Sequence, residues 1–158
     1  MESISICFVC LGNICRSPTA EAIMKDICNR EGANWISVSS MATSSWETGN
    51  PPDPRAIMEG KRRGITIAGR STQLDQSHAE EIDMFLVMDK DNHRNALSIL
   101  GNSYKHKVFM LGSFEDDAQD TIEIKDPYYM GGFENTFEQI ARSCEGLYKY
   151  LCSSKRIV

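Results

Sequence analysis

The chain has 158 residues, 41% hydrophobic and 25% charged, with a formal net charge of −5. That length and mix suit a single soluble globular domain spanning residues 1–158 and exclude disorder. The acidic balance argues against a nucleic-acid partner, which would call for a basic face. No apolar run approaches the ~20 residues of a membrane span, and no basic segment leads into an apolar one at the N-terminus, so a cytoplasmic protein is expected.

Ser3 to Val9 is apolar on both faces, as in a strand of a parallel sheet. It runs into Cys10-Leu11-Gly12-Asn13-Ile14-Cys15-Arg16-Ser17-Pro18, and from Ser17 the spacing of Ala20, Ile23 and Ile27 predicts an amphipathic helix to about Arg30, stopped near Gly32. Trp35 to Ser40 reads as a second strand and Met41 to Pro54 as a loop rich in Ser, Gly and Pro. A helix follows from Pro54 to Arg63, with Lys61-Arg62-Arg63 read as a basic helix end matched to the dipole. Met84 to Met88 is a third strand, Asp91 to Leu100 a helix, and Lys107 to Leu111 a fourth strand. A helix from about Glu134 to Cys152 carries Phe137, Ile140, Ala141, Cys144, Leu147, Tyr148 and Leu151 on one stripe. This alternation predicts an α/β domain with a four-stranded parallel sheet and helices on both faces. In such sheets the ligand sits beyond the carboxyl ends of the strands, which is where Cys10, Asp89 and the loop after the fourth strand should meet.

The loop after the first strand carries the chemistry. A Cys there sits where backbone N–H groups and the positive end of a helix dipole converge, which favours anions and a thiolate. Arg16 adds a planar guanidinium able to grip two phosphate oxygens. Gly12 allows a tight turn close to the ligand, and Pro18 suits the first turn of a helix. Six cysteines in such a chain are expected to be reduced, and Cys7-x2-Cys10 has no second pair to complete a zinc site, so no metal is expected. Cys28, Cys144 and Cys152 read as packed. His78, His93 and His106 lie in polar surroundings and read as solvent-facing. No G-x-x-x-x-G-K-[ST] occurs, so a nucleotide P-loop is excluded. Phosphate monoester hydrolysis also needs a proton donor for the leaving group. Asp126-Pro127-Tyr128-Tyr129 offers a carboxylic acid on a loop beside aromatic surface, although Asp-Pro is also a common turn signal.

Val9 to Pro18 resembles the signature loop of the low-molecular-weight protein tyrosine phosphatases, and Asp126-Pro127-Tyr128 resembles that family's late acid motif. The resemblance extends through most of the chain. It implies that Cys10 attacks phosphorus, that Arg16 binds the phosphoryl oxygens, and that Asp126 protonates the departing phenolate and then activates water against the phosphocysteine. It implies that Leu11, Gly12, Asn13, Ile14 and Cys15 shape the cradle, that Ser17 hydrogen-bonds the thiolate, and that Asp89 pairs with the loop arginine, a role compatible with capping a helix. Leu11, Trp46, Glu47, Tyr128 and Tyr129 are implied as walls of the substrate slot, with Glu47 tuning substrate choice. Tyrosine-phosphorylated proteins or peptides are the implied partners, and phosphate, vanadate and arsenate the implied inhibitors. No cofactor is called for.

The resemblance has a gap: Gly69 stands where many relatives carry a His, and Thr72 where they carry an Arg. Two other activities use similar loops. An arsenate reductase needs resolving cysteines on a nearby segment, but residues 70–110 contain no Cys. Phosphoarginine phosphatases tend to carry Thr where this chain has Ile14, and an apolar residue suits a phenyl phosphate better. Cys15, which phosphate transfer does not require, could close a disulfide with Cys10 and halt oxidation at a recoverable stage, or could merely fill space beneath the cradle.

Overall fold

The computed structural model describes residues 2–115, 122–128 and 131–157. Its elements are β1 (Ile4–Cys10), α1 (Arg16–Glu31), β2 (Ile36–Ala42), α2 (Pro54–Arg62), α3 (His78–Glu81), β3 (Met84–Val87), α4 (Lys90–Leu100), β4 (Val108–Met110) and α5 (Phe133–Ile157). The four strands form one sheet in the order β2-β1-β3-β4, and every neighbouring pair is parallel. Parallel neighbours require crossover connections, and the helices supply them on both faces.

Alternation along β1 sorts its side chains between two cores. Ile6, Phe8 and Cys10 face α1 and α5, packing with Ile23, Ile27, Ile140 and Leu147. Cys7 and Val9 face the other layer, against Ala79 of α3 and Ala96 and Leu100 of α4. Burying each larger apolar side chain contributes roughly 1.5–3 kcal/mol, so a strand wet on neither face is strongly held at the centre of the sheet.

Local signals explain the helix ends. Gly32 closes α1 in the left-handed region at φ 65°, where Ala33 N–H bonds Cys28 C=O. Asp53 caps α2 by accepting from Arg55 N–H, with Pro54 at the first helical position. Asp89 caps α4 by accepting from Asn92 N–H. On α5, Gly146 is required by packing: a Cβ there would fall 1.7 Å from Phe114 C=O.

The predicted elements are all present, with shifted ends. The last helix runs on to Ile157, and the short α3 leaves no signal in the sequence, since four residues show no periodicity. The basic cluster does more than end a helix. Arg62 and Arg63 bond Glu59 and reach across to Glu134 and Glu138 of α5, joining the two helices. His106 is exposed, but His78 and His93 are half-buried, and His78 Nδ1 accepts from Asp75 N–H. No helix among the described residues is long and apolar enough to cross a membrane.

Candidate active site

β1 ends at Cys10 and α1 begins at Arg16, so five residues carry the chain from the centre of the sheet to a helix N-terminus. Asn13 makes the turn at φ 57°, the one non-glycine with positive φ among the described residues. Its N–H donates to Cys10 Sγ at 3.3 Å, and Ser17 Oγ lies 3.0 Å from the same sulfur. The residue capping α1 is Cys15, which makes no side-chain cap bond. The opening amides of this helix therefore have no acceptor from their cap side chain, as an anion site requires.

Arg16 is 2% exposed. Its Nη1 donates to Asp89 Oδ2 and to Ile124 C=O, both at 2.8 Å, and its Nη2 lies 3.5 Å from Asp126 Oδ2. Burial pulls its pKa down, but Cys10, Asp89 and Asp126 outweigh that and hold it above the ordinary value. Asp126 folds back on its own loop, with Oδ1 accepting from Tyr128 N–H at 3.0 Å.

Cys10, Leu11, Gly12, Ile14, Cys15, Arg16, Trp46, Glu47, Asp126 and Tyr128 line one cavity of about 100 Å³. Trp46 is 76% exposed and Tyr128 39%, so both stand as rims rather than as packed core. Tyr129, expected as a further wall, lies outside the described residues. A larger trough of about 730 Å³, between α1, β2 and residues 64–66, does not include the loop. The smaller cavity is the candidate site because a cysteine, a buried guanidinium and a carboxyl group converge in it.

The family model for low molecular weight phosphotyrosine protein phosphatase matches residues 5–156. The chain belongs to that family. A low molecular weight phosphotyrosine protein phosphatase from Sus scrofa is 39% identical over 147 residues, covering 89% of this chain and 90% of that protein. The crystal structure of YfkJ from Bacillus subtilis matches with a TM-score of 0.93 at 33% identity, over 98% of each chain. That of the YwlE arginine phosphatase, with a phosphorylated active-site serine, matches at 0.85 and 28% identity over 98% of this chain and 100% of that one.

Several residues around the site leave no local signal in the sequence. Ser71 Oγ donates to Gly12 C=O at 2.8 Å, Asp53 N–H to Ile14 C=O at 2.7 Å, and Thr72 N–H to Asn13 Oδ1 at 3.1 Å. Each comes from a loop remote in sequence, so no local spacing announces it. Asp53 also forks with Arg55, whose guanidinium lies 5.3 Å from the Tyr128 ring and 4.7 Å from that of Phe133. The Pro54 and Asp53 cap signal could have located this pair, though not its partners.

No cysteine among the described residues is in a disulfide. Burial pushes the Cys7 thiol up to about 12 and raises Cys144 further still. Burial also pushes Cys15 up, with Cys10, Asp126 and Asp53 adding to the rise, so it remains a thiol beside the site. No group of three or more His, Cys, Asp or Glu side chains among the described residues could hold a metal ion.

Proposed function

We propose that this chain hydrolyses phosphotyrosine in proteins and peptides, and small aryl phosphates, through a phosphocysteine on Cys10. The observation that carries the reading is the convergence of Cys10, the buried Arg16 and Asp126 in one cavity rimmed by Trp46 and Tyr128. The Cys10 thiolate displaces the phenolate at phosphorus. The S–P bond forms as the P–O bond to the ring breaks, and Asp126 gives its proton to the departing oxygen. The opening amides of α1 and the Arg16 guanidinium stabilise the equatorial oxygens, and Asp89 and Ile124 hold that guanidinium in place before substrate arrives. Asp126, now ionised, takes a proton from water, the water oxygen attacks phosphorus, and the S–P bond breaks to release phosphate and the thiolate. Toward a thiolate the Ser17 hydroxyl, 3.0 Å from the sulfur, can only donate, and that bond supports this departure.

The test is hydrolysis of p-nitrophenyl phosphate and of a phosphotyrosine peptide by wild type and Cys10→Ser. The serine hydroxyl ionises far less readily than a thiol, so the variant should be inactive while folded. Turnover in that variant, with metal chelated, would overturn the mechanism. Phosphoarginine is a second substrate to assay, because YwlE shares the fold. Ile14 beside Cys10 favours the aryl ester, and a preference for phosphoarginine would reverse that assignment.

A further inference from the structure

Met88, Asp89 and Lys90 join the end of β3 to the start of α4, and each of them holds part of the site. Met88 C=O accepts from Ile124 N–H at 2.8 Å, and Asp89 Oδ2 accepts from Arg16 Nη1 at 2.8 Å. Lys90 N–H donates to Glu123 Oε2 at 3.0 Å. Ile124 C=O returns to the same Arg16 nitrogen, also at 2.8 Å. This corner of the chain therefore docks the guanidinium and, beside it, the strip of Glu123 and Ile124 that leads into Asp126.

Asn92, in the first turn of α4, closes the corner from behind and is 2% exposed. Its backbone N–H donates to Asp89 Oδ1 at 2.7 Å, a helix cap that does not depend on the side chain at position 92. Its side-chain Oδ1 accepts from Met88 N–H at 3.2 Å, and that bond does depend on it. Val87 is the last residue of β3 paired with a neighbouring strand, so the Met88 N–H lies past the ladder and takes its acceptor from a side chain. Met88 is fully buried, out of reach of water. A buried amide deprived of its acceptor is costly enough that the backbone around it shifts to find another.

We propose that Asn92 is a positioning residue for the reaction: by holding Met88 N–H it sets the corner on which both Arg16 and the strip carrying Asp126 are docked. This rests on reading Arg16 as the phosphate ligand and Asp126 as the general acid, and deepens it. Asn92 does not itself line the substrate slot. Its effect on the chemistry passes through Asp89 to the guanidinium and through Ile124 to the acid.

The experiment compares Asn92→Leu, which keeps a similar volume and removes the acceptor, with Asn92→Asp, which keeps an oxygen in its place. Folding is checked by circular dichroism and thermal unfolding. Two readouts are taken: kcat/KM on phenyl phosphate and on p-nitrophenyl phosphate, and the inhibition constant of inorganic phosphate. Phenolate is the poorer leaving group, so phenyl phosphate reports the placement of the acid, whereas phosphate reports the grip of Arg16. Asn92→Leu should lower kcat/KM roughly tenfold on phenyl phosphate but only about threefold on p-nitrophenyl phosphate, and should raise the phosphate constant about threefold. Asn92→Asp should keep most of both properties.

A merely structural Asn92 would lower the melting temperature of Asn92→Leu and leave the ratio between the two esters and the phosphate constant at their wild-type values. That result overturns the proposal, and so does a change in only one of the two readouts. If Asn92→Leu does not fold, Asn92→Ala is judged by the same criterion. Asp126→Ala is assayed alongside to separate the failures. An equal loss on both esters in that variant removes Asp126 as the acid and this proposal with it, whereas a graded loss there with an ungraded one in Asn92→Leu overturns this proposal alone.

Discussion

Asp89 holds Arg16 with one carboxylate oxygen and the start of α4 with the other: Arg16 Nη1 donates to Oδ2 at 2.8 Å and Asn92 N–H to Oδ1 at 2.7 Å. The two roles separate by substitution. Asp89→Asn keeps an oxygen for the helix cap and loses the charge, so it should lower kcat/KM roughly 10- to 100-fold with little loss of stability, in line with a charge-assisted hydrogen bond. Asp89→Ala should add a loss of about 1 kcal/mol from the cap. Urea unfolding beside steady-state kinetics distinguishes them, and equal stability in both variants would remove the capping role.

Asp126→Ala should lose on the order of 10²–10⁴ in rate on phosphotyrosine, the worth of a general acid. The loss should shrink as the leaving group becomes acidic enough to depart unprotonated. A loss that is constant across aryl phosphates of falling leaving-group pKa would make Asp126 structural, and its 3.5 Å approach to Arg16 would then be its whole function.

Arg55 props the rim of the slot. Its guanidinium is pinned by Asp53 and lies over Tyr128 and Phe133, so Arg55→Ala should raise KM for aryl phosphates about two- to fivefold, the worth of an exposed cation–π contact. The same pair carries a pH signature. Hydrogen bonds from Arg55 outweigh partial burial and hold the Asp53 carboxyl below the usual range. A depressed folded value contributes stability above the unfolded pKa and loses it as pH falls through the folded one. Acid unfolding of Arg55→Ala should therefore begin at a higher pH than that of wild type, and coincident acid transitions would refute the coupling.

Peroxide should inactivate wild type and Cys15→Ser alike, since both keep Cys10. Dithiothreitol should restore wild type and recover much less of the variant if Cys15 closes a disulfide on the Cys10 sulfenic acid, releasing water and stopping further oxidation. Burial and its anionic neighbours keep Cys15 a thiol, so it is no second nucleophile toward phosphate and must lose its proton to attack the Cys10 sulfenic acid. Equal recovery, or sulfinic acid at Cys10 with no linkage to Cys15, refutes the role.

Much of the frame was legible because each signal was local. The doubly apolar run before Cys10, the glycine at position 32, the Asp53-Pro54 cap and the stripe on α5 each state a conformation within a few residues. The loop itself was legible for the same reason. What was not legible depends on chain closure. Ile124 C=O on Arg16, Ser71 on Gly12 and Ser40 between Asn13 and Glu21 are contacts across the fold, between residue types that are common everywhere. His78 and His93 are half-buried although their sequence neighbours are polar, because such neighbours do not reveal tertiary packing.

The caps of three helices differ in a way that couples stability to solution conditions. α2 and α4 start on aspartates that accept from their own amides, whereas α1 starts on Cys15 with no side-chain bond. An uncapped start costs a helix about 1 kcal/mol, and an anion seated there supplies the missing acceptors. Inorganic phosphate at a hundred times its dissociation constant should therefore add about 2.7 kcal/mol to unfolding and raise the melting temperature, whereas chloride at equal ionic strength should not.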